Sequence, residues 1–301
     1  MKNIIAVLIL CIVSSCSRVE VLQDINSYEN KLVSTESKDT TITDIAERGQ
    51  LLSAFFGLDN TLPRIASRVI CDNATNQDGM PVIFSSEVDI SSIQAGDFKI
   101  ITSSGKAYKP ECVTLAPADD PGELRTALLV GEFGGLIVQP ALVEISGNLL
   151  SLDGTKNFKG STINVIPLED GPSIILAEII PINKAQLGKK ATRLRWGGGN
   201  GCPLETKQVI NVTWTGGITK PGGEPAGEDE RGLYKVTVVL ENGEEKEHIP
   251  FALADLNDGD NNHKLCLDNE NKPVSVFFPA GYLTDPRDDL NPDTRVKIIK
   301  Q

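Results

Sequence analysis

The densest run of metal-capable oxygens in the sequence is Asp255-Leu256-Asn257-Asp258-Gly259-Asp260-Asn261-Asn262-His263. Carboxylate and amide oxygens at this density suit calcium, a hard cation that takes oxygen ligands in a flexible geometry. Asp255, Asn257, Asp258 and Asp260 are the candidate ligands. The run departs from the EF-hand template: counted from Asp255 the fifth position is Gly259, and counted from Asp258 the sixth is His263, where the template has glycine. A calcium loop here is irregular. A second acidic segment, Asp285 to Asp293, is expected to meet it at one end of the same domain. The competing reading is a turn whose Asp and Asn side chains cap their own backbone.

Other chemistry finds fewer carriers. The chain has 2 histidines, His248 and His263, so a Ser-His-Asp arrangement must use one of them, and no Gly-x-Ser-x-Gly elbow occurs. His248, beside Ile249-Pro250, reads as a surface or cross-strand residue. Paired carboxylates for glycoside hydrolysis are numerically available, but their separation is a three-dimensional quantity. The run Arg195-Trp196-Gly197-Gly198-Gly199-Asn200-Gly201-Cys202 resembles a phosphate loop only in its glycines. It lacks the Lys-Ser or Lys-Thr ending, and no helical pattern follows. It reads as a loop held at Cys202, with Trp196 packed on the sheet or exposed to a glycan. Trp214 alternates with Val212 and belongs to the core.

Any such site must be held by elements that the composition already restricts. The 301 residues carry a net charge of -12 and no basic stripe, which argues against a nucleic-acid partner. Glycine (27) and proline (17) are spread along the chain without a repeat, which suits many short strands joined by turns.

The amino terminus sets the compartment. Lys2 precedes an apolar run from Ile4 to Val13, then Ser14, Ser15 and Cys16. A bilayer-spanning helix needs about 20 apolar residues, so this shorter run reads as a signal peptide over residues 1–15. Val13-Ser14-Ser15-Cys16 resembles the lipobox of bacterial lipoproteins. The resemblance implies cleavage before Cys16, acylation of that cysteine, and stable attachment to a membrane through more than one acyl chain. Cys11 does not qualify, because Ile9 and Leu10 before it are bulky. Ser17, where aspartate would signal inner-membrane retention, points to the outer membrane, facing the periplasm or the surface. The alternative is an ordinary secretory signal in which Cys16 is incidental.

Cys71, Cys112, Cys202 and Cys266 remain in the folded part. Export into an oxidising compartment makes disulfides the default. Four cysteines allow three pairings, and a division into two domains selects Cys71 with Cys112 and Cys202 with Cys266. They are too dispersed for the usual zinc spacings.

Residues 16–61 read as a lipidated tether, with an amphipathic helix expected over Thr43–Phe56 from the spacing of Ile42, Ile45, Leu52 and Phe55. A first domain spans 62–168, with strands near Ile65–Cys71, Pro81–Ser85, Asp97–Thr102, Glu111–Leu115, Thr126–Phe133, Ala141–Ser146 and Thr162–Ile166. A second spans 169–301, with strands near Ser173–Ile180, Gln208–Trp214, Tyr234–Leu240, Lys246–Phe251, His263–Leu267, Val274–Phe278 and Thr294–Ile299. Asn242-Gly243 between two β-rich runs signals a hairpin. Gly216 to Gly227 reads as a long exposed loop.

Pro81-Val82-Ile83-Phe84-Ser85-Ser86-Glu87-Val88-Asp89, Ile93, Asp97-Phe98-Lys99-Ile100 and Ser104-Gly105-Lys106 together resemble the bacterial Ig-like modules of surface-layer and adhesion proteins. The match covers about thirty residues, and the cysteine pair and the Ala118–Glu123 loop depart from the usual module. The expectation is an all-β chain: two Ig-like β-sandwich domains after a lipidated flexible tether and one short helix. The leading function is a non-enzymatic binding or structural platform of the cell envelope, with a protein or glycan ligand. The alternatives are an envelope hydrolase or carbohydrate-processing enzyme using carboxylates of the second domain, and a calcium-stabilised adhesin. An enzyme requires a concave pocket with convergent polar groups, whereas a platform presents loops or an exposed apolar patch.

Overall fold

The computed structural model describes residues 33–34, 47–190, 200–254 and 260–300. The segment expected to be a signal peptide and Cys16 lie outside the described residues.

The first unit contains β1 (Val33–Ser34), β2 (Glu47–Arg48), β3 (Leu51–Phe55), a one-turn helix α1 (Ala66–Val69), β4 (Asp78–Phe84), β5 (Phe98–Thr102), β6 (Ala107–Tyr108), β7 (Cys112–Thr114), β8 (Thr126–Gly131), β9 (Pro140–Ile145), β10 (Lys156–Asn157) and β11 (Thr162–Ile166). Its main sheet runs β1-β7-β8-β4-β3-β11-β9-β5-β6. The sheet folds over on itself because β11 changes partner: Thr162–Asn164 pair antiparallel with β9, while Val165 and Ile166 pair parallel with β3. Met80, Val82, Phe84, Ala127 and Leu129 from one half then bury against Phe98, Ile100, Val143 and Ile145 from the other. Period-2 alternation produces this face, as in β5, where Phe98, Ile100 and Thr102 are buried and Lys99 and Ile101 are half-buried.

The second unit holds β12 (Ile174–Ile180), β13 (Gln208–Trp214), a one-turn helix α2 (Glu228–Arg231), β14 (Lys235–Val239), β15 (Glu245–His248), β16 (Ala252–Ala254), β17 (Asn262–Leu267), β18 (Lys272–Phe278) and β19 (Thr294–Lys300). Its order is β15-β14-β18-β19-β12-β13-β17-β16. Strand for strand this is the plan of the first unit: β12 to β19 occupy the places of β3 to β9 and β11. Here too the last strand changes partner, from β18 to a parallel pairing with β12. The chain is therefore nearly all β, in two sandwich-like units of one topology. The β14–β15 hairpin turns at Asn242-Gly243, with Gly243 at φ 84° and its N–H donating to the Leu240 carbonyl.

In both units the corresponding connection, from β3 to β4 and from β12 to β13, crosses the outside of the sheet and is bonded to it. Cys71, beyond α1, joins Cys112 on β7 with Cα atoms 6.6 Å apart, and Cys202, before β13, joins Cys266 on β17 at 5.7 Å. Small apolar clusters fill the space beneath: Leu62, Ala66, Ala74 and Val130 in the first unit, and Ile180, Ala185, Val209 and Ala254 in the second.

Three expectations are corrected. Thr43–Phe56 is not a helix where it is described, because Leu51–Phe55 is strand β3, paired with β4 on one side and β11 on the other. Its residues are buried on both faces, so the run carries no one-sided periodicity to hold a helix. Gly49 permits the approach, since a Cβ there would lie 2.3 Å from the Phe158 ring. Residues 47–56 thus belong to the first unit, and Val33–Ser34 adds a short strand against β7. Ile65–Cys71 is not a strand but includes α1, whose Ala66 packs on the outer face of the sheet while Ile65 points to solvent.

Candidate functional site: the junction between the units

A cluster of buried charged and polar side chains lies where the loop from Leu115 to Arg125, between β7 and β8, meets the outer face of β12, β13 and β17. The pleat dictates which residues it meets. Ala177, Ile210, Val212 and Leu265 point into the second core, so their neighbours Glu178, Asn211 and Lys264 point out. Glu178 is in register with Asn211, and Asn211 with Lys264, forming one row across three strands. All three are buried.

The first unit supplies the counter-charges. Arg125 Nη2 lies 2.6 Å from Glu178 Oε1, and both side chains are fully buried. Lys264 Nζ lies 2.5 Å from Glu123 Oε1 and 3.9 Å from Asp120 Oδ2, and Lys189 Nζ lies 2.5 Å from Asp120 Oδ1. Asn261 donates through Nδ2 to Thr126 Oγ1 (3.2 Å) and to the Trp214 carbonyl (2.7 Å), tying the start of β8 to the end of β13. Asp119 completes the cluster; burial, and then the charge of Asp120, push its carboxyl up to about 6. Ions removed from water cost several kcal/mol each unless paired, so this geometry selects one arrangement of the units: a rotated one would bury charges without partners.

Beside the charged row is a cavity of about 160 Å³. Phe55, Leu58, Pro81, Leu115 and Leu128 line one side, and Gly216, Gly217, Asp260, Asn261 and Pro286 the other. At Gly216 the two units touch so closely that a Cβ would lie 2.5 Å from the Phe55 ring. The lining is mainly apolar, and its polar groups are largely engaged with the protein.

Of the calcium candidates, Asp255, Asn257 and Asp258 lie outside the described residues. Asp260 is buried and accepts from the Asn262 backbone N–H (2.7 Å) and from Asn262 Nδ2 (2.9 Å). That is an Asx turn, as is Asp285, whose Oδ1 accepts from the N–H groups of Arg287 (2.9 Å) and Asp289 (3.0 Å). The two acidic segments do approach each other, since Asp260 and Pro286 share the cavity wall. Among the described residues no group of three or more His, Cys, Asp or Glu side chains is arranged to hold a metal ion.

The histidines are held apart. His248 on β15 is partly exposed and faces Asp268 at 3.1 Å. His263 is buried in the second core, where Trp214 Nε1 donates to Tyr234 Oη (3.0 Å) and Tyr234 Oη lies 2.8 Å from His263 Nδ1. The phenol oxygen accepts from the indole and shares one further hydrogen bond with Nδ1, which satisfies the buried imidazole in its neutral form. Burial without a counter-charge holds its pKa down at about 4. Trp196 lies outside the described residues. The junction pairs were not anticipated from the sequence; their one signal is a charge or amide inside an otherwise apolar strand, Glu178 in Ile174–Ile180, Asn211 in Gln208–Trp214 and Lys264 in Asn262–Leu267.

No protein-family model matches the chain, and no curated protein matches its sequence. Among solved structures, the N-terminal part of the bacterial S-layer protein SbsC aligns with a TM-score of 0.27 at 12% identity, over 94% of this chain and 48% of that one. The S-layer protein rSbsC(31-844) aligns with a TM-score of 0.28 at 12% identity, over 95% and 44%. SbsC domains 1-6 align with a TM-score of 0.28 at 11% identity, over 95% and 44%. The chain spans less than half of each of these three structures, and alignments at these scores carry no argument about what it does.

Proposed function

We propose that this chain is a non-enzymatic lipoprotein of the cell envelope, attached to the outer membrane through lipid on Cys16, whose two Ig-like units form one stiff platform for a protein or glycan ligand. The observation that carries the reading is the junction. Paired buried charges at Arg125–Glu178 and Lys264–Glu123, with the close approach at Gly216, favour a single orientation of the units. A stiff body of defined length serves spacing and presentation. The lipobox-like Val13-Ser14-Ser15-Cys16 supports the address, and two disulfides fit an oxidising compartment.

Two measurements test it. Spin labels at exposed Leu152 and Leu204, one in each unit, should give a single narrow distance distribution by electron–electron resonance, and a broad one would remove the stiff-platform reading. Mass spectrometry of protein from the producing bacterium should find lipid on Cys16, whereas an unmodified thiol there would remove the anchor. A pull-down of envelope components and glycans by the mature full chain then identifies the ligand.

A further inference from the structure

The loop between β8 and β9 presents aliphatic side chains to water where a turn normally presents polar ones. Gly135 N–H donates to the Val138 carbonyl at 3.1 Å, closing a tip whose two central residues are Leu136 and Ile137. Such tips ordinarily use Asn, Asp or Gly. Here Ile137 is 96% exposed and Leu136 67%. Single exposed aliphatics are common, but consecutive ones on a projecting tip mark a contact surface. The tip is also rigidly built. Gly134 sits at φ 144°, where a Cβ would lie 2.2 Å from the Val138 carbonyl oxygen. Buried Asp78 clamps the base, its oxygens accepting from the backbone N–H groups of Asn60 (2.8 Å) and Phe133 (2.6 Å).

We infer that this tip inserts into the hydrocarbon of the membrane that holds the protein, so that the first unit is docked on the bilayer as well as tethered to it. The inference rests on the lipid-anchor reading. Residues 17–32 separate Cys16 from β1, and fully extended they reach about 55 Å, which bounds the distance of Val33 from the bilayer and lets the first unit contact it. The chain enters the unit at β1, beside β7, whose other neighbour β8 leads directly into the tip. Val33 is level with Thr114, hence with Leu128, and β1 runs parallel to β8, so the tether meets Val33 from the end of the sheet away from the tip; the loop departs after Gly131, about 10 Å further along the sheet and within the tether's reach. Asp59 and Glu132 at the base disfavour anionic headgroups and leave the apolar apex as the attraction.

The test uses the full mature lipoprotein reconstituted in phosphatidylcholine vesicles, with an environment-sensitive fluorophore on Ile137→Cys. Leu204→Cys, another exposed aliphatic position at 76%, labels the second unit. The expected result is a blue shift at position 137, with quenching by nitroxide lipids, and an unchanged aqueous emission at position 204. Aqueous emission at 137 overturns the inference, as do equal shifts at both positions, which mean general adsorption. Mass spectrometry of the same sample separates the two failures: a lipidated Cys16 with an aqueous tip ends this inference alone, whereas an unmodified Cys16 ends the anchor reading and this inference with it.

Discussion

In the first unit β4 ends at Phe84, which packs edge-on against Phe98 at the start of β5, with ring centroids 6.4 Å apart, and against Phe158 at 4.9 Å. In the second unit the same places in the strand plan are held by Trp214, at the end of β13, and Tyr234, just before β14. Thr126 pairs with the penultimate residue of β4, and Asn262 with that of β13, so the next residues, Ala127 and His263, also correspond. One topology thus carries a dry centre of Phe84, Phe98 and Ala127, and a polar one of Trp214, Tyr234 and His263. The strand plan requires filled volume at these positions, not apolar atoms: a hydroxyl and an imidazole are accepted because each finds a partner. The polar centre thereby holds a titratable group, His263, where the dry one holds none.

The junction is the place to break that comparison first. Arg125→Met leaves Glu178 buried without its cation and is expected to cost about 3–5 kcal/mol. Denaturant unfolding of this variant should show two transitions in place of one coupled transition. The double variant Arg125→Met with Glu178→Met should recover much of the loss, because a well-packed apolar pair can replace a buried ion pair. No recovery would mean that the charges contribute more than orientation.

With the units uncoupled, pH sharpens the contrast. Burial lowers His263 from the usual imidazole value to about 4, so its contribution is complete above pH 6.5 and is lost as pH falls towards 4, by about 3 kcal/mol. Burial raises Asp78 to about 6, so its contribution is complete below the ordinary aspartate value and is lost as pH rises through 6. Between pH 7 and pH 5 the contribution of Asp78 to the first unit should rise while that of His263 to the second falls. Both tryptophans belong to the second unit's part of the sequence, so indole fluorescence follows that unit, and segment-resolved hydrogen exchange follows both. His263→Gln should flatten the second profile and Asp78→Asn the first.

The smallest expected effect is that of Tyr234→Phe, which strands Trp214 Nε1 and His263 Nδ1 and should cost about 1–2 kcal/mol. The corresponding first-unit change, Phe98→Tyr, adds a hydroxyl with no partner in place and should cost a similar amount. If Phe98→Tyr were neutral in thermal melts, the contrast between dry and polar centres would be weaker than the geometry indicates.

Much of this architecture was legible in the sequence. Alternation and turn residues located β4, β5, β7, β8, β9 and β11, and every strand of the second unit except β16. β3 was not legible, because a strand buried on both faces has no alternation, and the spacing of Leu52 and Phe55 with Ile42 and Ile45 mimics a helix. Ile65–Cys71 was misread because its β-branched residues suggest a strand, whereas packing of the connection over the sheet bends it into a turn of helix. The disulfide partners followed from the division into two units. The junction did not, since Arg125 and Glu178 are distant in sequence and a charge at an outward strand position ordinarily means solvent. Only the three-dimensional placement of the Leu115–Arg125 loop turns that face into an interior.

The change of partner by β11 and β19 also bears on mechanical load. In each unit it sets the last strand parallel to an early one, β11 beside β3 and β19 beside β12. Tension applied between the start of one strand of such a pair and the end of the other pulls the two lengthwise in opposite directions. Their hydrogen bonds are then strained together in shear instead of peeling open one at a time, so each unit is built as a clasp that holds while under tension.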